Sequence, residues 1–287
     1  MIPSSFDYHR PKSVDEALGL LASHGDEARV VAGGHSLIPM MKLRMAAPEH
    51  LVDLQDIESL KGIEVSGDSI RIGAMTTQAE LIASDALTTA CPILRETSFL
   101  IADPQVRNLG TLGGNVANGD PGNDMPALMQ ALDAQYEVKG AGGSRSIAAR
   151  DFYEAAYFTA LEEGEILTAI SFKTPQQGHG YAYLKQKRKI GDYATAAAAV
   201  ILTLSGGQCT SAAIGLTNVG DTPLFAKDAA QALIGTAVDA AAISAAVISA
   251  EAITNPASDG RGPAEFRTKI AGVMVRRAIE TARARAQ

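Results

Sequence analysis

Cysteine is almost missing from this chain: two in 287 residues, Cys91 and Cys209, far apart and each alone. There is no C-x-x-C spacing, so the chain cannot hold an iron–sulfur cluster by itself. The five histidines are scattered, with no H-E-x-x-H or other metal-ligand spacing, and no metal site is expected. Long apolar runs are also lacking. Tyr193 to Leu204 is too short to span a bilayer, and Asp239 and Glu251 break the alanine-rich run from Ala237 to Ile253. The opening MIPSSFDYHR has no apolar core, so no signal peptide is expected and the expected location is cytoplasmic. A net charge of -7 argues against a nucleic-acid partner. G-x-G-x-x-G and the Walker A pattern are both absent, which disfavours a Rossmann NAD site and a P-loop NTPase.

What is present is a chain long enough for two or three domains with real cores. Its 46% hydrophobic and 20% charged residues are ordinary for a globular protein. The segment Ile101 to Asp124, IADPQVRNLGTLGGNVANGDPGND, holds five of the 27 glycines, two prolines and four asparagines. Such a segment is poor at forming a long helix or strand. It suits an anion, because glycine lets bare backbone N–H groups come close. Upstream, Ala32-Gly33-Gly34-His35-Ser36 echoes it: each stretch sets Gly-Gly beside a hydroxyl, Ser36 or Thr111. A lone Gly-Gly pair is more often only a tight turn. Two such loops at strand and helix starts could grip the two phosphates of a dinucleotide, at roughly 1.5–3 kcal/mol per N–H to a charged oxygen.

In chain order, Phe6 to Tyr8 reads as a strand. The S-x-x-E box at Ser13 opens a helix to about His24. Strands follow at Ala28 to Ala32 and Leu51 to Leu54, with a helical turn from Ser36 to Lys42. This small β-α-β-α-β unit, residues 1–55, forms the first region. The second region, 56–177, begins with a hairpin across Gly67-Asp68. A second capping box at Thr77 to Glu80, helices near Cys91 to Leu100 and Met125 to Leu132, and strands at Gln135 to Lys139, Ser146 to Ile147 and Ile166 to Phe172 complete it. The third, 178–287, carries strands at Tyr181 to Lys187, Ala196 to Leu204 and Ser211 to Leu216, then helices. It reads as an antiparallel sheet backed by helices, and the chain as α+β.

AGGHS at 32–36 and TLGGN at 111–115 resemble the two FAD-pyrophosphate loops of the flavin subunit of the molybdenum hydroxylases, the xanthine dehydrogenase family. Four further segments, GDPGNDMPALMQ, KRKIGDYATAAAAV, IGLTNVGDTPL and ASDGRGPAEFRTK, are similar to members that oxidise carbon monoxide with water to carbon dioxide. The resemblance covers nearly the whole chain. It implies a two-subdomain FAD-binding fold of the vanillyl-alcohol-oxidase type, followed by a flavoprotein C-terminal domain. It implies non-covalent FAD here, with the [2Fe-2S] clusters in a small partner subunit and the molybdenum-copper cofactor in a large one. The assembly would be a dimer of heterotrimers passing electrons to a quinone, associated with the inner face of the membrane.

The same resemblance assigns residues. Ala32, Gly33, Gly34, His35 and Ser36, with Thr111, Leu112, Gly113, Gly114 and Asn115, match the pyrophosphate loops. In the first, the His35 backbone N–H matters more than its ring. Asp124 matches a position near the ribityl chain and phosphates, and would serve equally as an N-cap before Met125. Lys185 and Tyr193 match positions beside the flavin ring, where Tyr193 would stack and a cation would favour the reduced ring. Ile101 and Ala102 match a lining segment. Two alternatives stand beside this reading. One is the FAD subunit of a molybdenum hydroxylase for a purine, aldehyde or N-heterocycle; the other is a scaffold subunit without redox chemistry.

Overall fold

The computed structural model describes residues 2–287. The N-terminal region comprises β1 (Asp7–His9), α1 (Val14–His24), β2 (Ala28–Val31), α2 (Leu37–Lys42) and β3 (His50–Asp53). Its sheet has the order β1-β3-β2, with both pairings parallel. The α1 helix starts where the S-x-x-E box predicts, the Ser13 hydroxyl accepting the Glu16 N–H at 3.1 Å. The Glu16 carboxylate takes the Lys12 N–H instead of that of Ser13, so the reciprocal half of the box is displaced by one residue. Val14, Ala17, Leu18 and Leu21 form the buried stripe, packed with Ala28, Val52 and Leu54.

The middle region runs through β4 (Ile63–Ser66), β5 (Ser69–Gly73), α3 (Gln78–Ala83), α4 (Asp85–Ala90), α5 (Pro92–Leu100), α6 (Pro104–Arg107), α7 (Leu112–Ala117), α8 (Asp124–Ala131), β6 (Gln135–Gly140), β7 (Gly143–Ala148), β8 (Tyr153–Ala155), β9 (Phe158–Thr159) and β10 (Ile166–Lys173). Five of these strands make an antiparallel sheet of order β4-β5-β10-β6-β7. The capping box at Thr77 and Glu80 is complete. The glycine-rich stretch holds no long helix or strand, in keeping with its composition, but two short helices, α6 and α7, lie within it. Local capping explains both. Asp103 accepts the Val106 N–H at 2.9 Å with Pro104 at the first helical position, and Thr111 accepts the Gly114 N–H at 3.0 Å. Over a single turn, a cap outweighs poor propensity.

The C-terminal region has β11 (Gly180–Gln186), β12 (Ala196–Ser205), β13 (Gln208–Thr217) and β14 (Leu224–Phe225) in an antiparallel sheet in that order. It then forms α9 (Lys227–Gln231), α10 (Ala240–Ala252) and α11 (Ala264–Arg285). The β12 strand reads almost wholly apolar because both its faces are covered. Ala196, Ala198, Val200 and Leu202 pack with α10 and α11. Ala197 and Ala199 point the other way, into a core shared with Met125 and Leu128 of α8. Through α8 the middle and C-terminal regions share one core. Among the described residues, no helix is long and apolar enough to cross a membrane.

Candidate functional site

A cavity of about 980 Å³ lies where the three regions meet. Its wall includes Ala32, Gly33, Gly34, His35 and Ser36 from the turn between β2 and α2. It also includes Ile101 and Ala102 after α5, Thr111, Gly113, Gly114 and Asn115 around the start of α7, Asp124 of α8, and Lys185 and Tyr193 from the C-terminal region. Of the residues singled out in the sequence, only Leu112 is elsewhere. Its side chain is fully buried in the core and its N–H bonds the Thr76 carbonyl at 2.8 Å.

The two glycine loops turn out to differ. Among the described residues, the N–H groups of Gly33, Gly34, His35 and Ser36 find no acceptor within the chain. Ser36 stands at the N-cap of α2, yet its hydroxyl caps nothing. Four adjacent donors without partners, at the wall of a cavity, form a ready anion cradle. In the second loop the donors are already used. Gly113 N–H bonds Ala74 O at 2.8 Å, Gly114 N–H bonds Thr111 Oγ1 at 3.0 Å and Asn115 N–H bonds Thr111 O at 3.1 Å. Thr111 keeps its hydroxyl proton to donate.

Gly33 and Gly113 also serve packing, beside any room that a bare backbone leaves for phosphate. A Cβ on Gly33 would stand 2.2 Å from Leu109 O and 2.8 Å from Gly110 Cα. A Cβ on Gly113 would stand 2.5 Å from Ala74 Cβ. Gly33 thus lets the first loop lie against the backbone just before the second, and Gly113 seats the second on Ala74 after β5. An isolated bridge, Thr77 to Thr111, pins the second loop to the start of α3.

That pin brings in a residue that sequence reasoning missed. Gln78 is 1% exposed, lines the cavity, and accepts the Ser98 hydroxyl at 3.0 Å through Oε1. Its Nε2 has no partner. A buried amide donor without an acceptor costs about 1–3 kcal/mol, so a bound group with an oxygen at this wall would relieve it.

Asp124 and Lys185 of the cavity wall belong to a buried polar triad. Tyr183 and Lys185, two residues apart on β11, share a face and reach Asp124 in the first turn of α8. The Tyr183 hydroxyl donates to Asp124 Oδ1 at 2.6 Å and Lys185 Nζ to Oδ2 at 2.8 Å. The side chains of Lys185 and Asp124 are 1% and 6% exposed. Burial raises the Asp124 pKa, with Lys185 the main opposing influence. The Tyr183 hydroxyl is pushed up by its own burial and then by Asp124. Asp124 is the first residue of α8 and does not cap it; Asn123 stands at the N-cap without a side-chain bond, and Asn115 Oδ1 accepts the Met125 N–H at 3.2 Å. Nothing in the sequence marks Tyr183, a tyrosine in an alternating strand.

Tyr193 sits in the turn before β12, not at a strand start, and 42% of it is exposed. Its hydroxyl pKa is raised, first by desolvation and then by Asp120. Ala102 takes a left-handed φ of 43°, and Arg107 holds that bend by donating to the Ile101 carbonyl at 2.9 Å. His35 is exposed at the rim, and it is the one histidine of the wall, which includes no cysteine.

These features fit FAD. The free N–H row suits a pyrophosphate, Gln78 offers a donor for a flavin or ribityl oxygen, and Tyr193 offers a ring face at the mouth. Residues 4–175 match the family described as the FAD binding domain in molybdopterin dehydrogenase, and residues 181–282 match the CO dehydrogenase flavoprotein C-terminal domain. The carbon monoxide dehydrogenase medium chain of Afipia carboxidovorans is 66% identical over all of both chains. That of Hydrogenophaga pseudoflava is 48% identical over 99% of each. A crystal structure of the Cu,Mo-CO dehydrogenase in its cyanide-inactivated form has a chain that superposes with a TM-score of 0.98, at 66% identity and full coverage of both.

Proposed function

The chain belongs to the family of FAD-binding subunits of molybdopterin dehydrogenases, and we propose that within it this chain is the medium, flavin-carrying subunit of an aerobic carbon monoxide dehydrogenase. The observation that carries the reading is the cradle of free N–H groups at Gly33 to Ser36, set in a chain 66% identical along its whole length to such a medium chain. When bound, FAD takes up electrons from one donor and releases them to another. The chain's own residues hold it. The first loop donates to the pyrophosphate, with the Ser36 and Thr111 hydroxyls beside it. Gln78 Nε2 donates to an oxygen of the cofactor. Lys185, fixed by Asp124, sets a positive charge near the ring, and Tyr193 covers one ring face.

The cysteine-poor sequence fits a division of labour. The [2Fe-2S] clusters belong to a small partner subunit and the molybdenum-copper site to a large one, where carbon monoxide and water become carbon dioxide. This subunit passes the electrons on to a quinone at the inner face of the membrane, in a dimer of heterotrimers.

Acid precipitation tests the cofactor assignment. With no cysteine in the wall and His35 out at the rim, FAD is expected to be held non-covalently. The supernatant of the precipitated complex should contain one FAD per chain, with a colourless pellet. Flavin in the pellet, or FMN in the supernatant, would overturn the assignment.

A further inference from the structure

Three of the five histidines, scattered in the sequence, meet in space. His9 ends β1, His24 ends α1 and His50 begins β3. All three are half-buried, and one ring nitrogen from each lies within 4.8 Å of the others. His9 Nε2 and His50 Nδ1 are 3.2 Å apart. The His24 and His50 rings lie face to face with centroids 3.7 Å apart, and the His9 ring is 5.4 Å from that of His24. Asp7, which faces His50 across the β1–β3 ladder, brings Oδ2 to 3.8 Å from His50 Nδ1.

We propose that His9, His24 and His50 form a binding site for a divalent first-row transition ion of the zinc type, with Asp7 within reach of the fourth position. Four nitrogen or oxygen ligands about 2.0–2.1 Å from a tetrahedral ion lie about 3.3 Å from one another. The His9–His50 separation already has that value, and His24 closes by turning its ring out of the stack. Neutral imidazole suits zinc and its neighbours in the series better than calcium or magnesium, which take oxygen ligands. No cysteine is near, because both are buried in the other two cores.

The site is separate from the flavin cavity, since none of the three histidines is in its wall. It is close to it, however. Gly25 and Asp26, directly after His24, line the cavity, and so does Ala28, which faces His50 in the sheet. The ligands come from two strands and a helix of the smallest region, whose core is correspondingly small. The ion acts as a staple: it ties the end of α1 to the β1–β3 edge and braces one rim of the flavin cavity. Binding that ion to the folded state alone raises stability by mass action.

The test uses the full-length chain without an affinity tag, stripped with a chelator and titrated with zinc chloride by calorimetry at constant pH. A parallel titration with cobalt chloride reports geometry through visible absorption. One zinc per chain is expected at micromolar affinity or tighter, with the intense cobalt bands of a four-coordinate site and a rise in melting temperature. His24→Ala, a change at a helix end, should weaken zinc binding at least tenfold while flavin content stays at one per chain. His50→Gln should do the same. Zinc binding well below one equivalent would overturn the proposal, as would an affinity unchanged in His24→Ala.

Discussion

Replacing Gly33 with valine is expected to leave the chain almost free of flavin. The added Cβ alone would stand 2.2 Å from a carbonyl oxygen and 2.8 Å from a Cα, both backbone atoms with no side-chain freedom to yield. The loops must therefore move apart. Overpacking of this kind costs about 1–3 kcal/mol, which the whole fold can absorb. The cradle cannot, because its four free N–H groups belong to the loop that is pushed away. Flavin content should fall below about a tenth of the unsubstituted level, since losing one charge-assisted bond of roughly 1.5–3 kcal/mol already weakens binding at least tenfold. Absorbance of the purified protein beside its circular dichroism reads both effects. A well-folded Gly33→Val chain with full flavin would refute the role of this contact.

Lys185→Met should be the most destabilising substitution near the cavity. Methionine keeps the length and apolar bulk of the stem and removes the ammonium. Asp124, itself 4% exposed, would then keep only the Tyr183 hydroxyl. Breaking one side of a buried pair costs about 3–5 kcal/mol, because the other charge stays buried without compensation. The sign of the pH dependence follows. An acid whose folded pKa is raised prefers its neutral form in the fold. The deficit is therefore full above the raised Asp124 pKa and shrinks as pH falls through it. Thermal melts across that range would show the variant approaching the parent on acidification. The double variant Lys185→Met, Asp124→Asn should recover much of the loss. Equal melting temperatures for parent and single variant at neutral pH would contradict the assignment.

Local signals in the sequence locate much of this structure. Ser13 and Thr77 announce their helices through a hydroxyl three residues before a glutamate, and both hydroxyls act as caps. The Gly67-Asp68 turn announces the β4–β5 hairpin. The run from Ala196 to Leu204 reads as a strand, and it is one, with both faces covered in the structure. The two Gly-Gly loops mark the cavity wall for the same local reason, a backbone that must come close to something. What they approach is not legible, since Gly33 and Gly113 meet protein backbone and Ala74.

Features that depend on distant partners were hidden. Gln78 carries no motif, and it reaches the cavity only because Thr77 bridges Thr111. Tyr183 matters only because β11 crosses the start of α8. The three histidines share no spacing, since a parallel strand pairing and a helix end bring them together. Capping also explains the two short helices within Ile101 to Asp124, where Asp103 and Thr111 raise brief helical turns in a stretch whose glycines argue only against a long one.

The central claim is that this chain holds FAD as the exit for electrons generated elsewhere. Anaerobic mixing of carbon monoxide with the assembled complex tests it most directly, followed through the visible absorbance of oxidised flavin. The flavin should bleach in the complex and stay oxidised in the isolated, FAD-loaded chain, since the proposed centre for carbon monoxide oxidation belongs to the large partner subunit. Bleaching of the isolated chain, or flavin that stays oxidised in an active complex, would contradict the account.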